Sequence, residues 1–242
     1  DWVDHFAPGT EVINGVRVIR LPVEHVRDTV YFSALHEEIL KDVSSATVAA
    51  QHEWMQAMGP ILDGQTKWLR THAAEYDVVV FMTYLYATTA IGLPSMVGLA
   101  PIILQPTAHD EPPAYLSLYK TLFHMPDAFL FLTEEEQKTV HRLYGIEPEG
   151  EVAGIGMELA QSKKSGDAFR NAYSIGDDPY LLYVGRIDVF KGVAELVRYF
   201  VEYKGHRPGK MRLVLAGEQI MDLPEHEDIT FVGFLDDEMK QS

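Results

Sequence analysis

Cysteine is absent from the 242 residues, and its absence rules out disulfide frameworks, thiolate zinc sites and cysteine nucleophiles. Long apolar runs are missing too. None approaches the roughly 20 residues that a bilayer-spanning helix needs, and the opening Asp1-Trp2-Val3-Asp4-His5 lacks the basic-then-apolar order of a signal peptide. Positive charge is scarce, with 20 Lys and Arg against 36 Asp and Glu and a formal net charge of −16. That balance argues against nucleic acid as a partner, because phosphate-backbone contact needs a concentrated basic face. Any anionic ligand must instead meet a local cluster of cations. A soluble chain in the cytoplasm is the default expectation. The 47% hydrophobic and 23% charged composition suits one large or two ordinary globular domains. Asp1 in place of an initiator Met, and a stop at Gln241-Ser242 just as a helix opens, suggest a piece of a longer protein.

Periodicity divides what is there. Asn14-Gly15 is a turn dipeptide between β-prone stretches within Val12 to Leu21 and predicts a hairpin or a sharp entry into a strand. From Phe32 to Ala74 the spacing is helical, with Leu35, Ile39 and Val43 on one stripe and Trp54, Met58, Ile61 and Leu62 extending it past Gly59-Pro60. Two helices are the simplest reading. Four short apolar runs follow at Val78 to Phe81, Ile102 to Leu104, Ala128 to Leu132 and Glu151 to Ala153, as in strands buried on both faces of a parallel sheet. Thr133 with Glu136 predicts a capping box, and Gly145 closes that helix. Residues 1–156 thus form a first domain. A Gly-, Ser-, Lys- and Asp-rich stretch at 157–178, with a short helical piece near Ala168 to Tyr173, reads as a linker. In 179–242 the alternation resumes: strands at Tyr180 to Val184, Arg212 to Ala216 and Ile229 to Val232, helices at Val193 to Tyr203 and from Asp236 onward.

The most informative stretch is Tyr183-Val184-Gly185-Arg186-Ile187-Asp188-Val189-Phe190-Lys191-Gly192. A strand ends at Val184, Gly185 permits a tight turn, and a helix starts close to Lys191. Ligands of open parallel sheets bind at this carboxyl end, and a helix N-terminus offers free N–H groups and partial positive charge to a phosphate. An anion held between Arg186, Lys191 and the helix end is one reading of this spacing; two solvated surface cations are the other.

This stretch, with Leu213-Val214-Leu215-Ala216-Gly217-Glu218 and Ile229-Thr230-Phe231-Val232-Gly233-Phe234-Leu235, resembles the sugar-nucleotide domain of the group 1, family 4-like retaining glycosyltransferases of the GT-B type. The resemblance implies an α/β chain with two Rossmann-like, doubly wound parallel-sheet domains, both incomplete here. It implies that Gly185, Arg186 and Lys191 bind the donor diphosphate, and that Phe231, Val232, Gly233 and Phe234 lie near the nucleobase. Phe231 and Val232 equally suit ordinary buried strand positions. The run from Asp77 to Gly156, with Met82-Thr83-Tyr84-Leu85-Tyr86, His109-Asp110, Leu118-Tyr119-Lys120 and Leu132 to Glu136, resembles the acceptor half of the same family. There the histidine matching His109 approaches the transferred sugar. By itself, a loop histidine is more often structural or solvated. Asp110 and Glu111 either orient that imidazole or cap the following helix, with capping the preferred reading. Gly154-Ile155-Gly156 begins like a dinucleotide fingerprint, but Leu159 stands where its third glycine would fall, which disfavours a nicotinamide enzyme.

The chemistry so implied is transfer of a sugar, with retention, from a UDP-, GDP- or ADP-sugar to a glycan, lipid-linked or small-molecule acceptor. No cofactor is expected. The sequence has no Asp-x-Asp to hold a divalent ion, so Arg186 and Lys191, with His109, form the expected metal-independent catalytic set. The family's glycine-rich loop would precede Asp1 and its Glu-x7-Glu segment would follow Ser242, so this piece alone is expected to turn over poorly. Any peripheral contact with the inner membrane face would come from such outlying segments. Two other readings share the fold: a non-catalytic nucleotide-sugar or glycan-binding module, and a sugar-nucleotide 2-epimerase.

Overall fold

The computed structural model describes residues 2–147, 149–156 and 166–240, and it divides into two compact units, 1–156 and 157–242. Leu159 lies outside the described residues. The first unit opens with a hairpin of β1 (Gly9–Ile13) and β2 (Val16–Arg20), paired antiparallel from Gly9↔Arg20 to Ile13↔Val16. Asn14 and Gly15 both take positive φ, 50° and 81°, as the tight turn between twisted strands requires.

Three helices follow rather than two: α1 (Thr29–Lys41), α2 (Val48–Met58) and α3 (Gln65–His72). The unforeseen break lies between Lys41 and Val48. There Asp42 accepts from the Ser44 N–H to start a 3-10 turn, and Thr47 accepts from Ala50 N to restart the helix. Short polar side chains compete for the backbone in this way without disturbing the apolar stripe. The break at Gly59-Pro60 is where it was expected, with Gly59 ending α2 at φ 62°.

A four-stranded parallel sheet then runs in chain order: β3 (Val79–Met82), β4 (Ile102–Gln105), β5 (Ala128–Phe131) and β6 (Gly150–Val152). The connections contain α4 (Ala87–Gly92), α5 (Ser117–Leu122) and α6 (Glu134–Tyr144). Trp54, Tyr84, Leu93, Leu104, Tyr119, Phe123 and Phe131 fill its core. Burial on both faces, expected of all four strands, is not what the edges show. In β3, Val80 and Met82 are exposed, and β6 is exposed throughout. An edge strand has a neighbour on one side only, so apolar residues there read the same in sequence while packing less.

The second unit is a three-stranded parallel sheet, β7 (Tyr180–Val184), β8 (Arg212–Ala216) and β9 (Ile229–Gly233), with β8 central. Period-two alternation along β8 splits it between two cores. Leu213 and Leu215 join Val193, Val197 and Phe200 of α8 (Val193–His206), whereas Val214 and Ala216 join Phe169, Ile175 and Leu235. Phe169 belongs to α7 (Asp167–Ala172), inside the segment expected to be a linker. That expectation is corrected for residues 166–178. Phe169 and Ile175 are buried against β8, so this stretch is part of the second unit's packing, its polar composition notwithstanding. The chain closes on α9 (Asp237–Lys240). Among the described residues no helix is long and apolar enough to cross a membrane.

Candidate functional site

The carboxyl end of the second sheet is laced into a fixed ledge. Gly185 N–H donates to the Ala216 carbonyl at 2.9 Å, Ile187 N–H to Glu218 at 2.8 Å, and Gly217 N–H to Gly233 at 2.8 Å. Gly217 sits at φ 140°, and a Cβ there would lie 1.9 Å from the Gly185 carbonyl oxygen, so only glycine allows the loops after β7 and β8 to touch. Ile187, fully buried, anchors the segment that carries the two cations.

Arg186 is half-exposed and is oriented by Asp188. One carboxylate oxygen of Asp188 meets Arg186 Nε at 3.1 Å, and the other accepts from the Phe190 N–H at 3.0 Å, starting a 3-10 turn. The Tyr183 hydroxyl fixes the base of the same residue by donating to the Arg186 carbonyl at 3.0 Å. Lys191 ends that turn, exposed, with its N–H on the Asp188 carbonyl at 3.1 Å and no ion pair among the described residues. Gly192, at φ 72°, then passes the chain into α8. Both cations therefore occupy the connection from a strand's carboxyl end to a 14-residue helix. Asp188 was not singled out in the sequence. Its only signal is an acid two residues before an N–H that needs an acceptor, a common turn feature.

Of the four residues expected near a nucleobase, Val232 packs partly into the core, Gly233 turns at φ 75°, and Phe234 is exposed with Lys240 Nζ 5.1 Å from its ring centroid. Phe231, which also suited a buried strand position, is 41% exposed because β9 is an edge.

In the first unit the loop after β4 carries His109. Thr83 N–H and Tyr84 N–H donate to the Gln105 and Pro106 carbonyls at 2.8 and 2.9 Å, and Thr107 is held at φ 52°. Glu136 ties this loop to the next. Its carboxylate, nearly inaccessible, accepts from Ala108 N–H at 2.7 Å and from Leu132 N–H at 2.6 Å. The Thr133 half of the capping box forms, with Glu136 N–H on Oγ1 at 3.0 Å, but the Glu136 side chain leaves the helix start for these two loops. His109 is exposed beside Thr107, Leu132, Thr133 and Thr139 in a concavity of 220 Å³.

Neither the Asp110 nor the Glu111 side chain orients His109 or hydrogen-bonds a helix start; Glu111 is the N-cap residue of the 3-10 turn Pro112–Tyr115 through its backbone carbonyl alone, which accepts from Ala114 N–H at 3.0 Å. Asp110 accepts from the Tyr115 hydroxyl at 2.7 Å and pairs with Arg142 at 2.9 Å, contacts that hold its carboxyl below the usual range. Glu111 accepts from the Tyr84 hydroxyl at 2.8 Å. Burial, then the charge of Glu111 and that hydrogen bond, push the Tyr84 phenol far up.

No protein-family model and no curated protein matches the chain. Solved structures do. The chain superposes on sucrose-phosphate synthase from Thermosynechococcus elongatus with a TM-score of 0.60 at 17% identity, covering 97% of this chain and 59% of that one. The α,α-trehalose 6-phosphate synthase of Burkholderia multivorans gives 0.58 at 14%, with 97% and 62% covered. The HepE protein of Anabaena, solved with UDP-glucose, gives 0.56 at 13%, with 76% and 55% covered. At such identities the likeness establishes the fold, two parallel-sheet α/β units of the GT-B type. The chain spans a little over half the length of these structures.

Proposed function

We propose that this chain is part of a metal-independent retaining glycosyltransferase that takes its sugar from a nucleotide diphosphate. The observation that carries the proposal is Arg186 at the carboxyl end of β7, held through Nε by Asp188 so that its terminal nitrogens remain available. Lys191 adds a second charge five residues on, where α8 begins. In the transfer, the bond from the anomeric carbon to the diphosphate oxygen breaks with its electron pair staying on that oxygen, an acceptor hydroxyl oxygen bonds to the carbon, and the hydroxyl proton passes to the leaving diphosphate. Positive charge grows on the sugar ring and negative charge on the leaving diphosphate. Arg186, Lys191 and the N–H groups of the connection meet that negative charge already oriented, which lowers the cost of forming it. In this reading His109 is a sugar-contacting residue, and Phe231 to Phe234 flank the base. HepE was solved with UDP-glucose, which favours uridine among the UDP, GDP and ADP donors. The synthases of sucrose phosphate and trehalose 6-phosphate favour a carbohydrate acceptor over a lipid-linked one.

Calorimetric titration of UDP and GDP into the chain and into Arg186→Ala tests the proposal. Losing a charge-assisted contact to phosphate should weaken binding about tenfold or more. Equal affinities for the two proteins would remove Arg186 from the site and the mechanism with it.

A further inference from the structure

Arg27 stands apart from the other arginines of the first unit. Arg17, Arg20 and Arg142 pair with Glu75, Glu11 and Asp110, and Arg70 donates to the Ser95 carbonyl. Arg27 has no carboxylate partner among the described residues. Its guanidinium carbon lies 3.7 Å from the Phe32 ring centroid and 5.7 Å from that of Trp2, and Nη2 meets the Met58 thioether at 3.5 Å. Its Nε is buried with no hydrogen-bond partner, the one side-chain polar atom in that state among the described residues. Ring faces attract a cation but accept no in-plane N–H, and a thioether is a weak acceptor. The charge is held in place and left without neutralisation, and desolvation pushes the Arg27 pKa down.

The surroundings are rigid. Trp2 Nε1 donates to the Met58 carbonyl at 2.7 Å, its ring meets Tyr86 edge-on at 5.6 Å, and a Cβ on Gly59 would lie 3.1 Å from it. Phe32 packs on His36, which receives the Trp54 indole N–H at 3.2 Å and is kept below its ordinary pKa by burial and then by the charge of Arg27. Two acids, Glu111 and then Glu37, are felt at His36, and Glu111 is occupied by Tyr84. Tyr86 lies four residues beyond the end of β3, so the cluster sits at the same end of the first sheet as the His109 loop. Arg27 itself stays partly exposed although its Nε is buried.

We propose that Arg27, framed by Trp2, Phe32 and Tyr86, anchors an oxyanion of the acceptor, a phosphate or carboxylate on a sugar whose apolar face rests on these rings. The proposal rests on the glycosyl-transfer reading for the word acceptor, though not for the site itself. Glucose 6-phosphate, glucuronate and glucose are titrated into the whole chain, into Arg27→Gln and into Arg27→Lys, with UDP titrated in parallel. In the parent chain at least one anionic sugar should bind about tenfold or more tighter than glucose, and which one does so assigns phosphate or carboxylate. The preference should vanish in Arg27→Gln and persist in weakened form in Arg27→Lys, which keeps the charge but not the planar fork. UDP affinity should be equal in all three, and circular-dichroism melts that match the parent chain's show that the unit carrying Arg27 is folded in each variant. No preference in the parent chain, or one that survives in Arg27→Gln, overturns the site. If Arg27→Gln fails to fold, an undiminished preference in Arg27→Lys overturns it instead. A sugar preference without UDP binding would sink the donor reading and leave this site standing; UDP binding without the preference does the reverse.

Discussion

Asp188 offers the sharpest test of how the cationic connection is built, because its two oxygens do separable work. One starts the 3-10 turn through the Phe190 N–H, and the other aligns Arg186. Asp188→Asn keeps an acceptor for the N–H but gives up the ion pair; Asp188→Ala gives up both. A lost cap costs about 1 kcal/mol, and an ion pair whose arginine is half-exposed is worth about 0–1 kcal/mol. The alanine variant should therefore lose roughly 1–2 kcal/mol of stability and the asparagine variant at most about half of that. Two terms oppose each other in ligand affinity. Removing the carboxylate takes a negative charge away from the diphosphate, which favours binding, while freeing Arg186 adds an ordering cost of about 0.5–1.5 kcal/mol. Salt separates them. At 1 M ionic strength the Debye length falls to about 3 Å, so the charge term is screened and the ordering term remains. UDP titrations at 0.05 and 1 M NaCl should show the asparagine variant close to the parent chain at low salt and about two- to tenfold weaker at high salt. An asparagine variant that binds UDP as tightly as the parent, or more so, at high salt would refute the claim that Asp188 aligns the arginine.

Two further substitutions probe the loops that hold the candidate residues. Gly217→Ala forces a methyl group onto the Gly185 carbonyl, 1.9 Å from the ideal Cβ position, at a φ of 140°; chemical denaturation should report a loss of about 3 kcal/mol or more, and UDP affinity should fall as the ledge opens. Glu136→Gln sets an amide NH2 against one of the two N–H groups that its carboxylate now serves, Ala108 and Leu132, and an unmet buried donor costs about 1–3 kcal/mol. Faster amide exchange at Ala108 and Leu132 would confirm the loosened loops, and unchanged exchange would show that Glu136 is not what secures them.

What could be read from the sequence followed from local physics. Strands β4, β5 and β8 are short apolar runs whose neighbours alternate with helices, and a parallel sheet is the arrangement that buries such runs; β7 reads the same way as a buried strand but, at the edge of its sheet, leaves Leu181, Leu182 and Val184 exposed. Asn14-Gly15 and Gly145 are each where a backbone demand admits few side chains. The connection from Gly185 to Gly192 could be placed because a strand end and a helix start bracket it. What stayed hidden is side-chain choice among distant partners. The Glu136 carboxylate reaches Ala108, 28 positions earlier, and Arg142 takes the Asp110 carboxylate from 32 positions away. A capping box and a helix-capping acid were the local options for those residues, and tertiary contacts displaced both. The same competition explains why His109 lacks the carboxylate orienter that its neighbours suggested: a carboxylate goes to the strongest fixed donor within reach. Asp110 found a guanidinium and a phenol, and Glu111 a buried phenol. Arg27 is the converse case: its fixed neighbours are rings and a thioether, none of which neutralises its charge.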